Sequence, residues 1–401
     1  DFSMIVIEIL FWFSVLFVLY TFIGYPILLF VLASARQTIS DLRFIVKRSE
    51  RRTTVRLGEW PAVSLVVAAY NEAASIAAKV ENSLAIDYPP DKFEIIIASD
   101  GSTDATNDIV RSYSDPRLRL MAYEQRGGKI SVINRTVPAA THDIVILSDA
   151  TTVYDTQAVK NAAKHFVDPK VGVVVGEVTL QSSSQDYKGE SHYWRYEMML
   201  KFMENRLGVV VGASGALCAI RRELFEPVPD STIVDDFVIP LKIAEKGYRQ
   251  VYCPEASVIE TTAADVQSEY KRRKRIAAGN FQSILLLWRL LNPLRGYIAL
   301  TFISHKIMRW TAPFFMASAL AANVVIAAAG GRRVYLVLLG LQCAFYVSAA
   351  AGIVVKKPAA VRKLLAIPYY FVSMNIAMMQ GFFNFVRGRQ KVTWDKARRT
   401  E

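Results

Sequence analysis

Residues 63–72 read VSLVVAAYNE, seven apolar or small residues followed by a polar cluster. An uninterrupted apolar run of this length, closed by turn-forming residues, is the pattern of a strand buried on both faces, as in a parallel sheet covered by helices. The pattern recurs at FEIIIAS (93–99), LRLMAY (118–123), DIVILS (143–148) and VGVVVGEV (171–178), with helical stretches at Glu72–Leu84 and Ala105–Ser112 between the runs. Strands alternating with helices imply an α/β domain with a mostly parallel sheet. Such sheets bind ligands at the carboxyl ends of their strands, so the residues just after each run carry the functional reading.

Tyr70, Asn71 and Glu72 follow the first strand. They can meet a nucleotide base or cap the helix that follows, and the motif alone leaves both open. Ser99-Asp100-Gly101-Ser102-Thr103-Asp104 follows the second strand, where Asp100 can accept from a base or ribose and Gly101 permits a tight turn. In Arg126-Gly127-Gly128-Lys129 the glycines allow close backbone approach and the lysine supplies a point charge for phosphate, or the segment is a solvated turn. Ser148-Asp149-Ala150-Thr151 ends the fourth strand, and an aspartate there can hold a divalent metal. Downstream, Thr232-Ile233-Val234-Asp235-Asp236-Phe237 sets two carboxylates side by side at the start of a helix. They serve either as its acidic first turn or as a catalytic pair.

The 401 residues carry a net charge of +12, yet 52% are hydrophobic. Basic and apolar together point to a bilayer with an anionic face and away from a nucleic-acid partner. Residues 4–35 form an apolar run broken only by Glu8, read as a transmembrane helix, and a basic linker over 36–61 sets the next domain in the cytoplasm. Beyond the α/β domain (62–280) come interfacial helices (281–308), three hydrophobic segments within 309–388 (Arg309–Ala329, Val334–Val355 and Leu364–Val386) and a basic tail (389–401). Three full spans put that tail outside, against the positive-inside bias, so a re-entrant segment is the other reading. Tyr193, Tyr196, Leu200 and Met203, with Trp194, Met198 and Phe202, make an apolar stripe that is either core or interfacial. The three cysteines read as reduced and buried, and the four dispersed histidines read against zinc.

The ordered series AAYNE, SDGSTD, GGK with a downstream asparagine, SDAT, GASGA followed by arginine, VDD and RRKRIAAG, from about Val63 to Gly279, resembles membrane-embedded family 2 glycosyltransferases, the inverting group that includes cellulose, chitin and hyaluronan synthases. The resemblance implies a GT-A, Rossmann-like catalytic domain flanked by transmembrane helices in a multi-pass inner-membrane protein. It implies a UDP-sugar donor, with glucose or N-acetylglucosamine expected, contacted by Tyr70, Glu72, Asp100 and Lys129. Asp149 matches the first aspartate of the Asp-x-Asp metal element, with Mg²⁺ or Mn²⁺ as the ion, and Thr151 stands where the second acid is common. Asp236 matches the catalytic general base, with Asp235 before it. Arg272 falls at the glutamine of the Gln-Arg-x-Arg-Trp-x-x-Gly element, and Arg273 and Arg275 at its arginines, where they would offset diphosphate charge or meet lipid headgroups. Ile276 replaces the tryptophan that stacks on the acceptor in polymerising members. The implied acceptor is therefore a growing cell-surface glycan or, in a single transfer, a lipid-linked glycan. Synthesis or export subunits are implied as partners, and a non-catalytic scaffold of an export complex is the reading from another class.

Overall fold

The computed structural model describes residues 2–47, 60–181, 188–261, 266–355 and 359–388. The linker residues Arg48, Arg51, Arg52 and Arg56, the pair Lys356 and Lys357, and the tail 389–401 lie outside the described residues, as do the side chains of Tyr193 and Trp194.

One eight-stranded sheet is built from β1 (Val63–Ala69), β2 (Phe93–Asp100), β3 (Leu118–Tyr123), β4 (Ile144–Asp149), β5 (Val153–Tyr154), β6 (Val171–Gln181), β7 (Cys218–Arg221) and β8 (Arg249–Thr261), in the order β3-β2-β1-β4-β7-β6-β8-β5. The half β3-β2-β1-β4 is parallel, as the sequence predicts. The other half is mixed, because β7 runs antiparallel between β4 and β6. β7 has only four residues, too few to show a period, and it enters from the carboxyl edge of β4, so it can only run back against that strand. Register decides where the site falls. Ala69 pairs with Ser99, Ala68 with Asp149, and Leu147 with Cys218. Tyr70, Asp100, Asp149 and the loop before β7 therefore emerge at one edge.

The helices are α1 (Phe2–Leu19), α2 (Tyr25–Lys47), α3 (Ile76–Leu84), α4 (Thr106–Arg111), α5 (Lys129–Ala139), α6 (Ala158–Ala163), α7 (Lys188–Arg206), α8 (Asp235–Glu245), α9 (Val266–Leu286), α10 (Tyr297–Thr301), α11 (Met308–Ala328), α12 (Arg333–Val354) and α13 (Ala359–Val386). Strand alternation sorts the core into two layers. Leu65, Val67, Ile95 and Ile146 pack under α3 and α6, whereas Val66, Ile96, Val145 and Val173 pack under α5 and α8. The second layer continues through Phe281 to Phe302 and Trp310, so the core of the sheet domain runs without a break into the helices that follow.

Three helices among the described residues are long and apolar enough to cross a membrane: Phe2–Val46, Tyr297–Ala328 and Arg333–Val354. The first contains a π turn at Tyr20–Gly24. The second is α10 and α11 joined through a π turn at Phe302–Ile307, so it begins well before Arg309. Ile5, Ile9 and Phe13 of α1 and Leu336, Leu341 and Val347 of α12 point outward, an apolar surface suited to lipid rather than water. α13, expected as a further span, is not among the three. Its Tyr370 accepts from Arg273 at 2.9 Å, its Gln380 from Tyr270 at 2.8 Å, and Gly381 lies so close to Ala277 that an added Cβ would sit 2.3 Å from that side chain. Polar pairing and close backbones fasten it along α9. The Leu200 and Met203 stripe of α7 is core, packed on Tyr25, Leu29 and Ala33 of α2. Cys218 and Cys253 are buried as expected, but Cys343 is exposed on the apolar outer face of α12.

Candidate functional site

The rim of the site is two turns stitched together. Asn71 adopts φ 52°, and its side-chain oxygen accepts from the Thr103 amide at 2.8 Å, while the Glu72 amide donates to Thr106 Oγ1 at 2.8 Å. α3 starts later, at Ile76, without a side-chain cap, and it is the Glu72 carbonyl that accepts from the Ser75 and Ile76 amides at 2.9 and 2.8 Å. The buried Glu72 carboxylate accepts from Ser75 Oγ at 2.6 Å. Tyr70 lies under the Arg126 guanidinium, 3.9 Å from ring centroid to carbon, a stacked cation contact. Asp100 accepts from the Gly127 and Gly128 amides at 2.7 and 2.8 Å. Gly128 has φ 89°, a conformation that favours glycine. Asp100 thus shapes the turn that delivers Lys129 to the first position of α5.

At the centre, Lys129 Nζ bridges Asp149 Oδ1 at 2.8 Å and Asp235 Oδ2 at 3.1 Å. Asp236 Oδ2 accepts from the Gly215 amide at 3.2 Å, so its partner is the loop before β7 rather than its own helix. Burial and the neighbouring Asp235 carboxylate push Asp236 up to about 6, against the pull of Lys129. Burial alone would lower Lys129, but Asp149, Asp235 and Asp236 outweigh it and hold the ammonium above the ordinary lysine range. Of the arginines on α9, Arg275 faces this acid group: burial lowers its pKa, and Asp235 and Asp236 oppose that. Arg273 turns away onto Tyr370, and Arg272 is exposed. Ile276 packs on the second core layer, and Thr151 sits in the turn after β4.

Sequence reasoning missed a lysine behind the site. Lys79, 3% exposed, donates to Ser148 Oγ (2.9 Å), Thr152 O (2.8 Å) and Thr152 Oγ1 (3.2 Å), and lies 4.3 Å from the centre of the Tyr154 ring. Tyr154 in turn donates to Ala216 O at 2.8 Å. These bonds tie the Asp149 turn to the loop before β7. Burial pushes Lys79 down to about 7, with Asp149 opposing. The signal was present, because Lys79 stands among Ile76, Val80 and Ser83 on the inward face of an amphipathic helix.

Gly279 lets α9 pack closely against the segment that leads into the two acids. A Cβ there would lie 2.9 Å from Ile233 and Val234, the residues just before the Asp235–Asp236 pair. Gly279→Val is expected to push that segment away, lowering kcat by about 10²-fold, the usual result of misplacing a reacting group by about 1 Å. Unchanged kcat in a steady-state assay would show that the contact does not set the position of the pair.

Among the described residues no three His, Cys, Asp or Glu side chains gather as a metal site. Asp149 offers one hard oxygen donor at the strand end, which suits an Mg²⁺-like ion that takes its remaining ligands from substrate phosphates and water.

The model of glycosyltransferase like family 2 matches residues 61–279. The poly-beta-1,6-N-acetyl-D-glucosamine synthase of Staphylococcus aureus is 26% identical over 243 residues, 59% of this chain and 58% of that protein. An N-acetylglucosaminyltransferase of Bradyrhizobium diazoefficiens is 24% identical over 266 residues, 62% of this chain and 54% of that protein. The matches therefore span little more than half the length of these relatives. A mannosyltransferase of Pyrobaculum calidifontis, solved with GDP-Man and Mn²⁺, superposes with a TM-score of 0.65 at 24% identity, over 92% of this chain and 99% of that one. This likeness shows the fold, a GT-A sheet with flanking helices. With more than half of its length matched by one family model, the chain belongs to glycosyltransferase like family 2.

Proposed function

We propose that the chain is an integral membrane, inverting glycosyltransferase that uses a UDP-sugar to extend a cell-surface glycan, with Asp236 as general base. The observation that carries this reading is the cluster in which Lys129 bridges Asp149 and Asp235 beside Asp236, a carboxylate raised to about 6. Inverting transfer is a single displacement, which needs a base for the acceptor hydroxyl on one side and charge for the departing diphosphate on the other. Asp236 takes the hydroxyl proton, and Lys129 and Arg275 offset the leaving-group charge. Asp149 would hold a divalent ion, whose chemistry is neutralisation of the diphosphate. Tyr70, Glu72 and Asp100 form the nucleotide side, and the small residues Gly212–Gly215 leave room for a pyranose.

The names of the two bacterial relatives favour N-acetylglucosamine over glucose as the sugar. Three spans support a multi-pass topology with the catalytic domain in the cytoplasm. After that domain, Tyr297–Ala328 and Arg333–Val354 lead out and back, returning α13 and the basic tail to the cytoplasmic side. The positive-inside bias is then satisfied, and the conflict left by three C-terminal spans disappears. The packing of Ile276 into apolar core, with no aromatic at its position, favours a second reading: a single transfer to a lipid-linked acceptor.

The test is UDP or GDP release by nanodisc-reconstituted protein with UDP-N-acetylglucosamine, UDP-glucose and GDP-mannose, each with Mn²⁺ or Mg²⁺. Turnover with UDP-N-acetylglucosamine is expected, and gel analysis of product length separates polymer from single addition. Turnover with GDP-mannose alone would overturn the donor.

A further inference from the structure

Beneath the loop before β7, on the membrane side, lies a cluster of charged side chains that the transfer chemistry does not use. α7 contributes the buried Glu197, Lys201 and Glu204; the π turn and α11 contribute His305, Lys306 and Arg309. Glu197 pairs with Lys306 at 3.4 Å, with His305 Nε2 at 3.3 Å and with Arg309. Glu204, fully buried, has its two oxygens divided between neighbours. Oε1 accepts from the Tyr25 hydroxyl of α2 at 3.2 Å and meets His305 Nδ1, while Oε2 accepts from the Val211 amide at 3.1 Å.

Val211 is the root of the loop. Its neighbour Val210 donates to Gln250 Oε1 at 3.0 Å, and a Cβ added at Gly212 would lie 3.4 Å from Lys306 Nζ. At the far end of the same segment, the Gly215 amide donates to Asp236. A π turn inserts a residue into a helix and re-aims the side chains around it, frequently at functional sites; here it turns His305 toward Glu204. A buried carboxylate is expensive to desolvate unless its geometry is closely satisfied, and Glu204 is satisfied only when α2, α7 and the π-turned helix converge.

We infer that Glu204 is a positioning residue for Asp236: acting through the Val211–Gly215 backbone, it makes the placement of the base depend on the packing of the membrane helices. The inference rests on Asp236 being the base. Glu204→Gln keeps size and one acceptor but replaces one of the two carboxylate oxygens that meet His305 and the Val211 amide. Tyr25→Phe removes one hydroxyl from the opposite side and leaves the carboxylate intact.

The experiment measures kcat, donor KM, UDP affinity by calorimetry and melting temperature for the full chain in nanodiscs, with Asp236→Asn in parallel. Glu204→Gln is expected to lower kcat by about 10-fold or more, with donor KM and UDP affinity changed by less than about twofold, because a displaced reacting group slows chemistry without weakening ground-state binding. Tyr25→Phe follows in the same direction, by about threefold. Unchanged kcat in Glu204→Gln, or kcat and UDP affinity falling together, overturns the positioning role; if Glu204→Gln does not fold, unchanged kcat in Tyr25→Phe overturns it. Full activity of Asp236→Asn overturns the base assignment and this inference with it, whereas an inactive Asp236→Asn beside a fully active Glu204→Gln overturns the positioning role alone.

Discussion

Asp236→Asn is expected to lower kcat by about 10³-fold, within the range that a general base contributes, while UDP affinity changes by less than about twofold. Asparagine matches aspartate in shape, and its amide oxygen can still accept from the Gly215 amide that now meets Oδ2. The geometry persists, but the side chain can no longer take a proton. Wild-type protein carries a second signature of the same group. The base is the ionised form and its pKa stands at about 6, so kcat is expected to fall about tenfold per unit as pH drops below that value, and to level off above it. The variant lacks this limb. Stability moves the other way. A carboxylate whose folded pKa is raised above its unfolded value disfavours folding once the pH exceeds both, so neutral asparagine is expected to raise the melting temperature at pH 7. Loss of activity with a raised melting temperature cannot be ascribed to unfolding. Full activity in the variant would remove Asp236 from the mechanism.

In the parallel half of the sheet, β1, β2 and β4 were legible because buried parallel strands print a continuous apolar run, whereas the edge strand β3 was read from its mostly apolar residues around the exposed Arg119. β1 and β3 fall at Val63–Ala69 and Leu118–Tyr123, the limits the sequence implies. β7 was not legible, since four residues, Cys218–Arg221, carry no measurable period and the strand exists only through its pairing with β4 and β6. β8 was missed for another reason: Pro254, Glu255 and Ser257 interrupt its apolar pattern where a register shift follows Gly176 on β6. In the site, spacing brought the right residue types to one edge but did not say which way they face. Arg273 and Arg275 are equivalent in the motif, yet they are two residues apart on a helix, about 200° around its axis. One meets Tyr370 of α13, and the other stands where Asp235 and Asp236 act on it through space. Asp100 read as a ligand contact, and the sequence did not show that its carboxylate also holds the glycine turn by accepting from both of its amides. Glu204 and His305 could not be paired from sequence at all, because about a hundred residues separate them and only the packing of α7 against the π-turned helix brings them together.

Lys129→Met is expected to damage the site by a different route, lowering kcat/KM at pH 7 by about 10²- to 10³-fold, the loss typical of removing one preorganised charge donor. The lysine touches Asp149 and Asp235 and acts on Asp236 through space. Without it, three neighbouring carboxylates lose their common counter-charge. Removing a cation favours the neutral acid, so the pKa of Asp236 must rise from about 6, by about one unit or more. The acid limb of the pH profile then moves to higher pH, and at pH 7 a smaller share of the base is ionised. Donor KM should rise as well, because the same ammonium is placed to meet the diphosphate. Lys129→Arg separates charge from shape: it restores the limb toward its wild-type position, while the larger guanidinium crowds Gly215, whose Cβ position is only 2.9 Å from Nζ. The decisive measurement is the pH dependence of kcat in the methionine variant beside wild type. A limb that moves alkaline shows that Lys129 keeps Asp236 ionised. A limb that stays in place, with kcat lowered uniformly, would assign the acid limb to another group and confine Lys129 to binding the donor.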